Sequence, residues 1–212
     1  IMLSRLGGLF RNVFVAAYFG ASRATDIFAV GLTVTNLMRR IVAENALENA
    51  FLPIFSRLFH RTSRKKTWEA ASSIVNFTIL VSLVATVVLI LFTPAIINNL
   101  FPEFVKSNVN VTTINLTRLI LPYLFLVTIA AIMTTYLKSF NRFGLAETSA
   151  IFFSVGVIGG IVFLSKSADV YSMAYGALIG GFLQILFLFP FVYKILRHKA
   201  LQFSYKPTIQ FN

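Results

Sequence analysis

Acidic side chains are scarce in this sequence. Seven Asp and Glu stand against nineteen Lys and Arg, and charged residues of both signs make up only 12% of the 212 residues. A soluble domain carries about 25%, so a chain this poor in charge cannot cover a water-facing surface. Cysteine is absent, which excludes a disulfide framework and thiolate chemistry. The two histidines, His60 and His198, sit in basic segments without metal-ligand spacing. No G-x-x-x-x-G-K-[ST] loop, H-E-x-x-H or G-x-S-x-G motif occurs, so phosphate-loop hydrolysis, zinc proteolysis and serine-nucleophile chemistry have no residues to work with. The expectation is a non-enzyme without metal or cofactor. No cleavable signal peptide opens the chain, and Ile1 falls in mid-pattern, which suggests that the true start lies upstream.

What is abundant is apolar surface. Hydrophobic residues make up 57% of the chain and the mean hydropathy is +0.80. A bilayer-spanning helix needs about 20 apolar residues. Ala70–Pro102, Leu119–Leu137, Thr148–Ser165 and Val170–Tyr193 are uncharged runs of that order, too long for barrel strands. Two charged but apolar-periodic segments precede them. The fold class expected is all-α integral membrane, with six helices over about Met2–Phe19, Asp26–Phe51, Trp68–Ile97, Asn115–Phe140, Thr148–Leu164 and Tyr171–Leu196. Pro122 predicts a kink in the fourth. Gly156/Gly160 and Gly176/Gly180 form G-x-x-x-G pairs, which predict close helix packing.

The excess of positive charge follows topology rather than nucleic acid, which is not expected as a partner. With the N-terminus inside, eleven Lys and Arg (57, 61, 64, 65, 66, 138, 142, 194, 197, 199 and 206) fall in inner loops and the tail, and three (23, 106 and 166) fall outside. The positive-inside rule therefore predicts both termini on the cytoplasmic side. The cluster from Arg57 to Lys66 reads as a topology anchor near anionic headgroups. Residues 1–196 form one transmembrane lobe on this reading, and 197–212 a basic cytoplasmic tail or linker.

The remaining charges lie within helices, where each costs about 2.5–3.5 kcal/mol and marks a substrate or ion path. Ser4–Arg11 reads S-R-L-G-G-L-F-R. Arg5 and Arg11 have no acid at i±3 or i±4, and Gly7 and Gly8 between them admit a helix or ligand. Snorkelling to an interface is the competing reading, stronger for Arg5. In the second helix Arg40 and Glu44 are spaced i, i+4 and can pair, whereas Arg39 has no acid at those spacings and is the better anion ligand. Asp26 suits the N-cap of that helix, and Asn36 adds a polar position that a lipid-facing helix would not tolerate. Arginine's planar fork suits phosphate bidentately. The substrate-binding candidates are thus Arg5, Arg11 and Arg39, with Ser4, Asp26, Asn36 and Glu44 as gating or cavity polar residues.

The stretches S-R-L-G-G-L-F-R-N-V-F-V-A-A-Y-F-G-A-S-R-A-T-D-I-F and N-L-M-R-R-I-V-A-E-N-A-L-E-N-A-F-L-P-I-F resemble the opening of the bacterial lipid II flippases, the MurJ/MviN family. L-P-Y-L-F and K-S-F-N-R-F-G (Lys138–Gly144) resemble the same family's fourth helix and following loop. The resemblance implies one six-helix lobe of a two-lobe exporter in the bacterial inner membrane. It also implies flipping of an undecaprenyl-pyrophosphate-linked peptidoglycan precursor by alternating access. The family's cavity arginines fall on Arg5, Arg11 and Arg39, and its helix-2 acids on Asp26 and Glu44. The partners implied are the lipid-linked pyrophosphate, membrane lipids and a second lobe in the same or another chain. The sequence departs from the family pattern at Asn12, where an acid is usual, and at Thr35, where proline is usual, which puts a hinge in helix 2 in question. It departs again at Asn45, where glycine is usual, and at Ala146 and Ser149, where prolines are usual. The competing functional readings are export of another polyprenyl-linked saccharide or a drug, and a non-transporting half-protein scaffold.

Overall fold

The computed structural model describes residues 2–20, 22–41, 64–106 and 109–198, with backbone alone at 2–5, 64–71, 105–106 and 197–198. Its elements are all helical: α1 (Met2–Phe19), α2 (Arg23–Arg39), α3 (Arg64–Leu100), α4 (Pro102–Lys106), α5 (Asn110–Ile120), α6 (Pro122–Ser139), α7 (Phe143–Ala168) and α8 (Tyr171–His198). Among the described residues, Ser72–Leu100, Asn110–Ser139, Phe143–Ala168 and Tyr171–Leu196 are long and apolar enough to cross a membrane, and Leu6–Phe19 is a shorter apolar helix. The charge count places the ends at Ser22, Phe101 and Asp169 outside and the turn at Asn141 inside.

Local chemistry sets the helix ends. Gly20 takes φ +63 at the close of α1, a left-handed turn that glycine adopts without strain. Asn141 plays that part after α6, at φ 59. Its N–H donates to the Lys138 carbonyl at 3.0 Å and that of Arg142 to the Leu137 carbonyl at 3.0 Å. That bond pair is a Schellman motif with asparagine in glycine's place, and it gives the N-R-F segment its structural reason. The break expected at Pro122 is present: α5 stops at Ile120 and α6 begins with Pro122 in its first turn.

Several boundaries differ from expectation. α2 begins at Arg23 with Ser22 in extended backbone before it, so Asp26 is not the N-cap. It lies in the first turn, where a carboxylate favours the helix dipole. The fourth span starts at Asn110 rather than Asn115, and within its polar first turns Thr113 Oγ1 donates to the Val109 carbonyl at 2.8 Å. α2 runs unbroken through Thr35, whose buried hydroxyl donates to the Gly31 carbonyl at 2.9 Å. A proline there would break the helix; threonine continues it.

α8 is central, packing against α7, α6 and α5, while α1 lies on α7, α2 on α5, and α3 on α6 and α5. The tightest pair is α7–α8. A Cβ on Gly160 would lie 2.5 Å from Gly176 Cα and 2.6 Å from the Ser172 carbonyl, and one on Gly156 would collide with Gly180. The G-x-x-x-G pairs thus face each other backbone to backbone. The largest buried cluster occupies the outer half of the lobe, where Ile27 and Phe28 of α2 meet Leu116, Ile120, Val157, Ile161 and Met173.

One interhelical bond explains an arginine that charge counting left aside. Pro94 lies inside α3 and has no N–H to give the carbonyl four residues back. That carbonyl belongs to Ile90, and Arg118 Nε of α5 donates to it at 3.3 Å. The guanidinium supplies the donor that the proline removes. Arg118→Leu is therefore expected to lower stability by about 1 kcal/mol, the central net value for a hydrogen bond, because Arg118 is exposed and the bond is long. The loss should shrink in a Pro94→Ala background, where the helix regains its own donor. Thermal melting of the four proteins of this double-mutant cycle checks it, and equal Arg118→Leu losses in both backgrounds would refute it.

Candidate functional site

Arg11 is half-buried on α1. Its guanidinium lies over the Phe153 ring of α7, 5.4 Å from the centroid, a cation–π arrangement. Its Nε and Nη2 donate to Asn12 Oδ1 at 3.4 and 3.3 Å. Asn12 accordingly accepts from Arg11, and as a neutral amide it leaves the positive charge uncancelled. Gly7, one turn earlier, packs against the Ser154 side chain at 3.4 Å from a notional Cβ, whereas Gly8 faces open space. Of the two glycines, Gly7 admits the neighbouring helix and Gly8 leaves room beside Arg11.

Phe153 also stacks on Tyr123 of α6, with centroids 4.7 Å apart and planes at 27°. Tyr123 is 6% exposed, and a Cβ on Gly181 of α8 would meet its ring at 2.8 Å. Arg39 is half-buried in the last turn of α2. Of the three expected arginines, Arg11 is the one seen on this aromatic pair. Arg11 is eight residues from the end of α1 at Phe19, and Arg39 closes α2.

Asp26 is exposed in the first turn of α2, well apart from Arg39. Asn36 is half-buried one turn before Arg40, which is exposed. Ser4 and Arg5 lie on α1, but their side chains fall outside the described residues, as does Glu44 with its expected Arg40 pairing. Tyr123 and Phe153 went unremarked as site residues in the sequence. The signal for Tyr123 was in L-P-Y-L-F, where a hydroxyl-bearing ring directly follows a helix-breaking proline.

The description of the matching family model is lipid II flippase MurJ, and it aligns with residues 15–211. A protein of Buchnera aphidicola subsp. Schizaphis graminum, named "Probable lipid II flippase MurJ", is 32% identical over 92% of the chain and 38% of its own length. One of Treponema pallidum with the same name is 37% identical over 91% of the chain and 37% of its length. A solved structure titled "Lipid II flippase MurJ, inward closed conformation" superposes with a TM-score of 0.75 at 27% identity, covering 97% of this chain and 42% of that one. The chain therefore spans about two-fifths of the length of these relatives.

Proposed function

The chain belongs to the lipid II flippase MurJ family, and from that premise we propose that it supplies the first six-helix lobe of a lipid II flippase in the bacterial inner membrane. Residues 1–196 form the lobe and 197–212 lead toward a second one, in the same or another chain. The lobe binds the pyrophosphate of an undecaprenyl-linked peptidoglycan precursor and passes it outward by alternating access. Arg5, Arg11 and Arg39 hold the phosphates, and Ser4, Asp26, Asn36 and Glu44 line or gate the path.

The observation that carries this reading is Arg11 seated on Phe153, which is itself stacked on Tyr123. A guanidinium held by an aromatic face keeps its N–H edge available for an anion. Binding a phosphate offsets part of the cost of holding arginine at membrane depth. The test is rescue of bacteria depleted of their own lipid II flippase, with this chain alone and with this chain joined in frame to a relative's second lobe. Rescue by the joined protein is expected. A joined protein that is well expressed and inserted yet fails to rescue overturns the reading in favour of another cargo or a scaffold.

A further inference from the structure

Tyr123 carries a polar group that the fold itself does not use. The residue is buried and follows Pro122 in the first turn of α6. Its ring is held on two sides. It stacks on Phe153 of α7, and Gly181 of α8 makes room for it, since a Cβ there would lie 2.8 Å from Tyr123 Cδ2. Phenylalanine would meet both contacts equally well. The hydroxyl is what tyrosine adds, and among the described residues it has no hydrogen-bond partner and is not sealed off as Thr117 Oγ1 is. Threonines of this lobe satisfy their hydroxyls on their own helix, as Thr128 of α6 does on the Leu124 carbonyl. A phenolic oxygen stands at the far end of a rigid ring and cannot turn back in that way. Leaving it unpartnered inside a membrane lobe costs stability, and buried tyrosines usually find a partner.

We propose that the Tyr123 hydroxyl donates a hydrogen bond to the second phosphate of the pyrophosphate held by Arg11, and so selects a diphosphate over a monophosphate. The inference rests on the phosphate-binding role given to Arg11 above. Phe153 joins the two groups: it bears the guanidinium on its ring and stacks on Tyr123, which brings the guanidinium and the Tyr123 ring centre within about 10 Å of each other. A diphosphate bonded at both ends covers that span, with one phosphate on the arginine fork and the other on the hydroxyl. Gly8 leaves open space beside Arg11 for it. A monophosphate engages Arg11 and leaves the hydroxyl unmet.

The test is the affinity of the chain, joined to a relative's second lobe and held in detergent, for undecaprenyl pyrophosphate and undecaprenyl phosphate, read beside its melting midpoint. Tyr123→Phe should weaken binding of the pyrophosphate by about tenfold, the loss of one hydrogen bond to a charged group, and leave binding of the monophosphate unchanged. The midpoint without lipid should hold or rise, because phenylalanine keeps the stack and removes an unpartnered hydroxyl. Pyrophosphate affinity unchanged by Tyr123→Phe, or an equal loss for both lipids, would overturn this proposal and leave the role of Arg11 standing. A lowered midpoint with unchanged affinities would overturn it as well, since the hydroxyl would then be bonded within the fold. Failure of the wild-type protein to bind either lipid would overturn the functional reading, and this proposal with it.

Discussion

Arg11→Ala, in the chain joined to a homologous second lobe, is expected to abolish rescue of flippase-depleted cells without loss of the protein from the membrane. The guanidinium offers phosphate two parallel donors, and charge-assisted bonds contribute about 1.5–3 kcal/mol each. Their loss corresponds to about a hundredfold or more in transport rate. Arg11→Lys keeps the charge but not the fork, so it should recover only part of the activity. Phe153→Leu keeps the guanidinium and removes the ring beneath it. The cation–π contact is worth about 0.5–2 kcal/mol, so this variant should be weakened by about tenfold and still rescue. Wild-type rescue by Arg11→Ala at normal protein levels would show that Arg11 serves packing alone.

The second large effect concerns stability. Gly160→Leu forces a side chain into the backbone of α8, where a Cβ already meets Gly176 Cα at 2.5 Å. Backbone cannot rotate aside as a side chain can. The cost therefore lies at or above the upper end of the about 1–3 kcal/mol typical of overpacking, and α7 and α8 must separate. Its neighbour provides the control, because a Cβ on Gly159 meets nothing within 4 Å. Gly159→Leu should leave the melting midpoint unchanged or raise it slightly, since leucine is the better helix former. Fluorescence-detected size exclusion after heating distinguishes the two. Equal behaviour of Gly159→Leu and Gly160→Leu would mean that the close helix contact is absent in the membrane.

The spans, the proline break and the glycine pairs were legible in the sequence because each rests on local composition: apolar length, a missing N–H, a missing Cβ. Arg11 and Arg39 were legible because charge is costly at membrane depth. The aromatic pair under Arg11, Tyr123 and Phe153, was not, since the stacking joins α6 to α7 and no periodicity within either helix encodes it. Arg118 is a similar case. Its role depends on Pro94, 24 residues earlier in sequence, and appears only once α3 and α5 lie side by side. The start of the fourth span was missed for the opposite reason: Asn110–Thr117 has the composition of a loop, yet it is helical, with the Thr113 hydroxyl bonded to its own backbone.

That habit of the hydroxyls reaches beyond the helix boundary. Thr33, Thr35, Thr78, Thr86, Thr93, Thr113, Thr128 and Thr148 each donate to the carbonyl four residues earlier on their own chain. Hydrogen bonds that cross between spans include Gln184 to Ser149, Arg118 to Ile90 and Asn110 to Asn98. These threonine hydroxyls are spent within their own helices and do not latch one helix to the next. Two neighbours can slide by a fraction of a turn, exchanging one set of van der Waals contacts for another, without stranding a polar group in lipid. Such low friction between helices is what a lobe needs if it is to rock through a transport cycle many times without unravelling.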